Sequence, residues 1–111
     1  MPDPRRYTVL WSDVAFEDLD RITFYIALQD PVHAYKLWRQ IHAATDRLSI
    51  VPLRCRIVPE LKEIGVEAYR EIIADPYRIM FHVEKVSVWI LGVFDARRDL
   101  EEVLLQRIMN L

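Results

Sequence analysis

The sequence has few residues of the kinds that interrupt or cross-link a chain. It contains two glycines and one cysteine, Cys55, in 111 residues. With so few glycines and no low-complexity tract, no stretch is typical of a flexible linker. A single cysteine excludes an internal disulfide and is typical of proteins of a reducing cytosol. We therefore expect one cytoplasmic domain over residues 1–111.

Long apolar runs and strongly basic segments are also missing. No stretch approaches the roughly 20 residues that cross a membrane, and the N-terminus lacks the apolar part of a signal peptide. The net charge is −2, and the most basic segment, residues 52–98, carries eight basic side chains against seven acidic ones. Because phosphate binding depends largely on lysine and arginine, this balance argues against an extended nucleic-acid surface. Any positive surface has to arise from folding.

The first half of the chain predicts a strand followed by two amphipathic helices. Residues 6–11 alternate and are rich in β-forming side chains. Ser12 and the pair Asp30-Pro31 each provide a helix start, and the short connection predicts a helical hairpin. Glu17, Asp18, Asp20 and Arg21 fall mostly on the solvent side of the first helix. The two apolar stripes contain Ala15, Leu19, Ile22 and Ile26, then Ala34, Leu37, Trp38, Ile41, Ala44 and Leu48.

The second half predicts a three-stranded meander over residues 68–99, with turns at Asp75-Pro76 and Glu84-Lys85. The run 86–93 is apolar on both parities, which favours a central strand covered on both faces. Asp95 or Asp99 can cap a last helix, and the aperiodic residues 53–61 predict a loop. The chain thus predicts an α+β fold. Its antiparallel sheet combines the N-terminal strand and the meander, with the helical hairpin on one face and a C-terminal helix.

The length of the first turn decides which side chains share a face of the sheet. A two-residue turn pairs Arg70 with Phe81 and points Arg78 to the face opposite the hairpin. A three-residue turn that includes Tyr77 would instead place Arg70, Arg78 and His82 on one face. We expect Arg78 and Arg97 or Arg98 on the open face. The face of Arg70 stays undecided, with a preference for joining them.

Several motifs, in this order, resemble the ParE/RelE toxin superfamily of type II toxin–antitoxin modules. They are Trp11-Ser12-x-x-Ala15-x-x-Asp18-Leu19-x-x-Ile22, Pro52-x-x-Cys55-Arg56-x-Val58-Pro59-Glu60-Leu61, Arg70-Glu71, Tyr77-Arg78-Ile79 and Arg97-Arg98-Asp99-Leu100. The resemblance covers nearly the whole chain. It implies an antiparallel sheet carrying a helical hairpin, and an antitoxin whose C-terminal segment wraps the toxin. It also implies one of two activities, inhibition of DNA gyrase (ParE-like) or ribosome-dependent cleavage of mRNA (RelE-like).

Two positions depart from the family pattern. Cys55 stands where the family usually has glycine, which would strain the loop if that position needs a positive φ. Asp95-Ala96 stands where many members have histidine-glycine. Each departure directly precedes candidate arginines, Arg56 in the first case and Arg97 and Arg98 in the second.

RNA cleavage needs a base for the 2′-hydroxyl, an acid for the leaving 5′-oxygen and a cation for the pentavalent phosphate. Arg78 and Arg97 or Arg98 match the cations of the RelE-like branch, and Glu60 loosely matches a catalytic carboxylate. The proton carriers do not match, because the chain ends in Arg107-Ile108-Met109-Asn110-Leu111 and has Leu104 and Leu105 where a tyrosine occurs elsewhere. The catalytic candidates are therefore Arg78, Arg97, Arg98 and Glu60, and the ParE-like branch is favoured.

The resemblance and the residue pattern together predict two binding surfaces. Target binding is assigned to Arg56, Arg70, Arg78, Arg97 and Arg98. Antitoxin binding is assigned to four aromatic side chains outside the two stripes and to Trp38 of the second stripe: Phe16, Phe24, Tyr25, Tyr35 and Trp38. If Arg78 contacts the target, its replacement by alanine should stop growth inhibition at little cost in stability.

Plainer interpretations stay open beside these. Single arginines such as Arg70 or Arg97 can form surface ion pairs of small value. His33 and His42 face different directions and make no metal pair, His82 fits a packed strand position, and Cys55 fits a small buried group. We expect no cofactor and no metal. The expected partners are an antitoxin and either DNA gyrase or the ribosome with mRNA, and the chain alone is expected to self-associate. Beside the ParE-like inhibitor and the RelE-like nuclease, a degenerate toxin-fold protein that binds only an antitoxin is the third possible function.

Overall fold

The computed structural model describes residues 6–111. The first five residues of the expected 1–111 domain, which belong to the N-terminus considered above for a signal peptide, lie outside the described residues. A five-stranded sheet has the strand order β1-β5-β4-β3-β2 and carries four α-helices. The α+β fold is confirmed. The elements are β1 (Thr8–Trp11), α1 (Asp13–Ala27), α2 (Pro31–Asp46), β2 (Arg56–Ile57), α3 (Pro59–Lys62), β3 (Tyr69–Ala74), β4 (Tyr77–Glu84), β5 (Ser87–Asp95) and α4 (Glu101–Met109).

Both helices of the hairpin begin where the sequence predicts. The Ser12 hydroxyl accepts a hydrogen bond from the Ala15 N–H at 3.1 Å, and Pro31 occupies the first turn of α2. Asp30 accepts from the His33 N–H at 3.0 Å. These bonds satisfy N–H groups that the helix itself leaves without partners.

The sheet differs from the expected one at its two edges. β1 pairs with β5 in parallel, whereas β2, β3, β4 and β5 pair antiparallel, so the sheet is mixed. The segment 53–61, predicted as a loop, contains β2 and the start of the four-residue helix α3. β2 has only two residues, too few for the alternation that identifies a strand.

The sheet has a hydrophobic core on each face. The hairpin packs on one face, where Leu19, Ile41 and Phe81 are buried. On the other face α3 and α4 cover a smaller core that includes Leu61, Met80, Leu91, Phe94 and Leu104. The expectation that β5 is covered on both sides is confirmed from Ile90 onward, whereas Trp89 on the face opposite the hairpin is 37% exposed. The face opposite the hairpin is therefore not open along its whole length.

A β-bulge in β5 changes which residues share a face. Met80 pairs with Gly92 and Phe81 with Ile90, which leaves Leu91 as the extra residue. Val93 consequently joins Ile90 in the hairpin core, although strict alternation placed it with Leu91. Within residues 6–111, no helix combines the length and apolar character that a membrane span requires.

Candidate functional site

The turn between β3 and β4 contains two residues, Asp75 and Pro76. Ala74 pairs with Tyr77, and Arg70 pairs with Phe81. Arg78 therefore lies on the face opposite the hairpin, as expected. Arg70 shares the hairpin face with Phe81, so the preference for grouping it with Arg78 is wrong.

Arg78 lies between two carboxylates in a nearly buried position, with 9% of the residue exposed. Its Nη1 and Nη2 donate to the two oxygens of Glu60 at 2.7 and 2.6 Å, a bidentate pair. Its Nε donates to Glu71 at 2.8 Å, and Glu71 also accepts from Arg56 Nε at 2.6 Å. Arg56, Glu71, Arg78 and Glu60 thus form one row of alternating charges. The expectation that Arg78 is exposed is wrong, because α3 brings Glu60 over it.

The bidentate pair favours the charged forms of Glu60 and Arg78. Hydrogen bonding from Arg78 lowers the pKa of Glu60, and bonds to Glu60 raise the pKa of the Arg78 guanidinium further above its usual range. All three nitrogens of Arg78 already donate to carboxylates. The arrangement holds Glu60 as an ionised acceptor, which is a poor state for a general acid.

Arg70 supports the loop that precedes β2. Its Nη1 donates to the Cys55 carbonyl at 2.7 Å. Cys55 has a φ of −70°, in the ordinary extended region, so the position does not require glycine and the expected strain is absent. Burial raises the pKa of the Cys55 thiol. Arg70 therefore positions a loop on the side of the sheet away from Arg78.

Arg97 and Arg98 lie in the segment that follows β5, beside the β3–β4 turn. Arg97 holds Asp95 through its backbone N–H and its Nε, both at 2.9 Å, and through Nη2 at 2.8 Å. These bonds lower the pKa of Asp95 to about 2. Ala96 N–H donates to the Pro76 carbonyl at 2.8 Å, which ties the segment after β5 to the β3–β4 turn.

The same segment lines a cleft of about 770 Å³ under the tip of the hairpin. Arg97 and Arg98 border this cleft together with Arg21, Lys36 and Tyr25. The expectation that they share the open face with Arg78 is therefore wrong. The structure divides the predicted arginines into three places: Arg56 and Arg78 in the charged network, Arg70 under the loop, and Arg97 and Arg98 at the cleft. Sequence reasoning missed Arg21 and Lys36, whose only signal was their position on the hairpin.

The hairpin exposes all five aromatic side chains assigned to antitoxin binding. The exposed fraction is 57% for Phe16, 66% for Phe24, 73% for Tyr25, 60% for Tyr35 and 44% for Trp38. Phe24, Tyr35 and Trp38 line one shallow groove of about 410 Å³, whereas Tyr25 borders the cleft. The five residues are thus divided between the outer groove, the cleft and the start of α1.

The histidines show no arrangement for metal binding. His42 packs at a tilt against Trp38 and Trp11, with ring centroids 4.1 and 5.2 Å apart, and His82 lies 5.7 Å from the Tyr69 ring. In the part of the chain that the structure describes, no three metal-ligating side chains come together.

Comparisons with known proteins identify the family. The model of the ParE toxin of type II toxin–antitoxin systems (parDE) matches residues 9–100. Among solved structures, a chain of the chromosomal ParDE toxin–antitoxin system from P. aeruginosa is similar in fold, with a TM-score of 0.69 and 21% sequence identity. The match covers 82% of this chain and 97% of that one. No curated protein sequence matches significantly. Because the family model spans most of the chain, this protein belongs to the ParE toxin family.

Proposed function

We propose that this toxin inhibits growth by binding a cellular target such as DNA gyrase, and that it does not cleave RNA. The observation that carries the proposal is the state of Arg78. Its guanidinium is paired with Glu60 and Glu71 at distances of 2.6 to 2.8 Å, so two carboxylates already engage all three of its nitrogens and would repel a phosphate. A nuclease needs that cation available when charge develops in the transition state.

The two positions of α4 at which the resemblance would place a tyrosine hold leucines. Leu104 is buried in the second core, and Leu105 is an exposed apolar side chain of the same helix. Glu60 is held ionised by Arg78, so it is unsuited to protonating a leaving oxygen. RNA cleavage would require α3 to withdraw Glu60 and another group to donate the proton.

Target contact is proposed for the arginines that reach solvent. Arg56 has 56% of its side chain exposed and Arg97 has 69%. Arg98 is also exposed. Arg70 and Arg78 are held in internal hydrogen bonds and support the fold instead.

We propose that an antitoxin covers the outer groove of the hairpin. Phe24, Tyr35 and Trp38 expose aromatic surface on adjacent turns of α1 and α2. Contiguous aromatic surface of this kind on a small protein is typical of an interface, and an amphipathic helix or an extended segment fits such a groove. The similar P. aeruginosa chain comes from a system that pairs a toxin with an antitoxin, which supports this assignment. Without the antitoxin the same surface favours self-association.

Three assays test the proposal. We expect the purified chain to inhibit supercoiling by DNA gyrase, and we expect primer extension on translating ribosomes to show no cleavage that depends on it. Co-expression with the product of the adjoining gene should restore growth. Specific mRNA cuts would establish the RelE-like alternative. A chain that is harmless but binds the neighbouring product would be a degenerate toxin.

A further inference from the structure

The cleft under the hairpin tip combines an apolar wall with a charged rim. α1 and α2 form one side, and the β3–β4 turn with the segment after β5 forms the other. The cleft is lined by Ile22 and Ile26, which lie at the margin of the hairpin core, and by Tyr77, which belongs to that core. The cleft is therefore an opening at the end of the core, where an inserted apolar side chain would gain burial.

The rim is predominantly positive in a chain whose net charge is −2. Four cations, Arg21, Lys36, Arg97 and Arg98, face two carboxylates, Asp75 and Asp95. Arg21 is paired with Asp18 and Arg97 with Asp95. Within residues 6–111, neither Lys36 nor Arg98 forms an ion pair at contact distance, although the charge of Arg98 acts on Asp95, so both side chains can pair with an incoming carboxylate.

We propose that this cleft binds an acidic segment of the target protein in which an apolar side chain lies between carboxylates. The apolar side chain would contact Ile22 and Ile26, and the carboxylates would pair with Lys36 and Arg98. Tyr25, which is 73% exposed at the mouth, adds an aromatic surface and a hydroxyl group. The inference rests on the proposed function, because it names the place and the chemistry by which the toxin holds its target.

The lining favours a peptide over a nucleic acid. A phosphate backbone would pass close to Asp75 and Asp95, and the bonds from Arg97 keep Asp95 ionised. Nucleic-acid surfaces instead present cations with little opposing charge. The apolar wall also matches a side chain such as leucine better than a sugar-phosphate chain.

The cleft and the outer groove are separate but adjacent. Tyr25 borders the cleft, whereas its neighbour Phe24 lines the outer groove. An antitoxin seated in the outer groove would lie beside the mouth of the cleft. It would therefore exclude a large target without occupying the cleft itself.

A peptide-binding experiment tests the site directly. The probe is a fluorescein-labelled peptide of alternating glutamate and leucine pairs, compared with its lysine counterpart and with a single-stranded oligonucleotide of equal charge. We expect the acidic peptide to bind best, and the double variant Lys36→Glu/Arg98→Glu to weaken it about tenfold. The matched control Lys62→Glu/Arg54→Glu changes the charge equally outside the cleft and should bind like the original chain. Equal binding by both variants, tighter binding of the oligonucleotide, or no binding of the peptide would overturn the proposal.

A growth assay separates this inference from the proposed function. We expect Lys36→Glu/Arg98→Glu to lose growth inhibition while keeping its melting temperature and its antitoxin affinity. If the cleft variant stays as toxic as the control variant, the cleft assignment is wrong and the toxin assignment stands. If the peptide binds in the cleft but the original chain never inhibits growth, the site stands and the proposed function is wrong.

Discussion

Asp18 on α1 and Arg107 on α4 form a bidentate ion pair around the edge of β5, with nitrogen–oxygen distances of 2.7 and 3.0 Å. β1 pairs with β5 only as far as Ile90, which leaves the following backbone groups without a strand partner on that side. Asp18 accepts from the Val93 N–H at 3.0 Å, and Arg107 donates to the Leu91 carbonyl at 2.8 Å. The pair therefore satisfies an otherwise open sheet edge and joins helices from opposite faces.

Replacing Arg107 should destabilise the protein. Asp18 is 2% exposed, so Arg107→Met leaves a buried carboxylate without its main partner and should lower the free energy of unfolding by about 3 kcal/mol. Urea unfolding measures this difference. Arg21→Met is the control, because Arg21 also pairs with Asp18 but has 70% of its side chain exposed and should cost less than about 1 kcal/mol. Equal losses from the two variants would contradict the role given to Arg107.

Arg78→Ala should also destabilise the protein, contrary to what the sequence alone indicated. Arg78 is buried and not exposed as the sequence pattern predicted. Its removal leaves the carboxylates of Glu60 and Glu71 close together without the cation that they share. We expect a loss of about 3 kcal/mol in the free energy of unfolding. Arg56→Ala, at the solvent-exposed end of the same network, should cost less than about 1 kcal/mol. Thermal unfolding of both variants decides the point.

The Glu60–Arg78 pair should make stability depend on pH. Arg78 lowers the pKa of Glu60 in the folded protein below its ordinary value of 4.5, so the ionised carboxylate stabilises the fold. That contribution is complete above the ordinary pKa and is lost as the pH falls through the lowered value. The difference in unfolding free energy between the original chain and Glu60→Gln should thus be largest near neutral pH and shrink below about pH 4.5. Glu63→Gln, an exposed neighbour, should show no such trend.

The regular elements of the fold could be predicted from the sequence because their signals are local. The caps at Ser12 and Asp30 and the apolar stripes of the hairpin depend on residues a few positions apart. The two-residue turn at Asp75-Pro76 is local as well. The parallel pairing of β1 with β5 is not, because the partner strands are separated by most of the chain.

The site was less predictable because it depends on contacts between distant residues. Asp18 falls on the polar side of the α1 pattern, yet it is buried because Arg107 and the Val93 N–H reach it. Arg78 is buried because α3 delivers Glu60, in a segment that carries no periodic signal. The bulge at Leu91 shifts the faces of β5 by one residue. In each case the deciding partner lies outside the window that a sequence pattern covers.

A steric constraint at the bulge gives a further prediction. A Cβ added at Gly92 would lie 2.7 Å from Arg107 Nη1 and closer still to the Phe94 ring. Gly92→Ala should therefore displace both the Phe94 ring and Arg107, whose guanidinium lies 4.9 Å from the ring centroid, and cost about 2 kcal/mol. Gly65→Ala makes a useful comparison, since its φ of 83° strains alanine although the surrounding space is empty. If Arg107→Met removed most of the penalty of Gly92→Ala, displacement of Arg107 would be its cause.

The outer groove predicts how antitoxin binding can be separated from toxicity. Phe24 is 66% exposed and lines the groove with Tyr35 and Trp38. Phe24→Asp should leave stability nearly unchanged, because the side chain contributes little to the core. Its affinity for the antitoxin should fall about 30-fold, as expected when a central aromatic contact worth about 2 kcal/mol is lost.

Calorimetry with the product of the adjoining gene measures the affinity of each variant for the antitoxin. Ile64→Asp is the matched control, because Ile64 is 56% exposed but follows α3 and is not part of the hairpin. In cells, Phe24→Asp should still inhibit growth, and co-expression of the antitoxin should rescue it poorly. The assignment of the groove is wrong if Phe24→Asp binds as tightly as the original chain, or if Ile64→Asp weakens binding to the same extent.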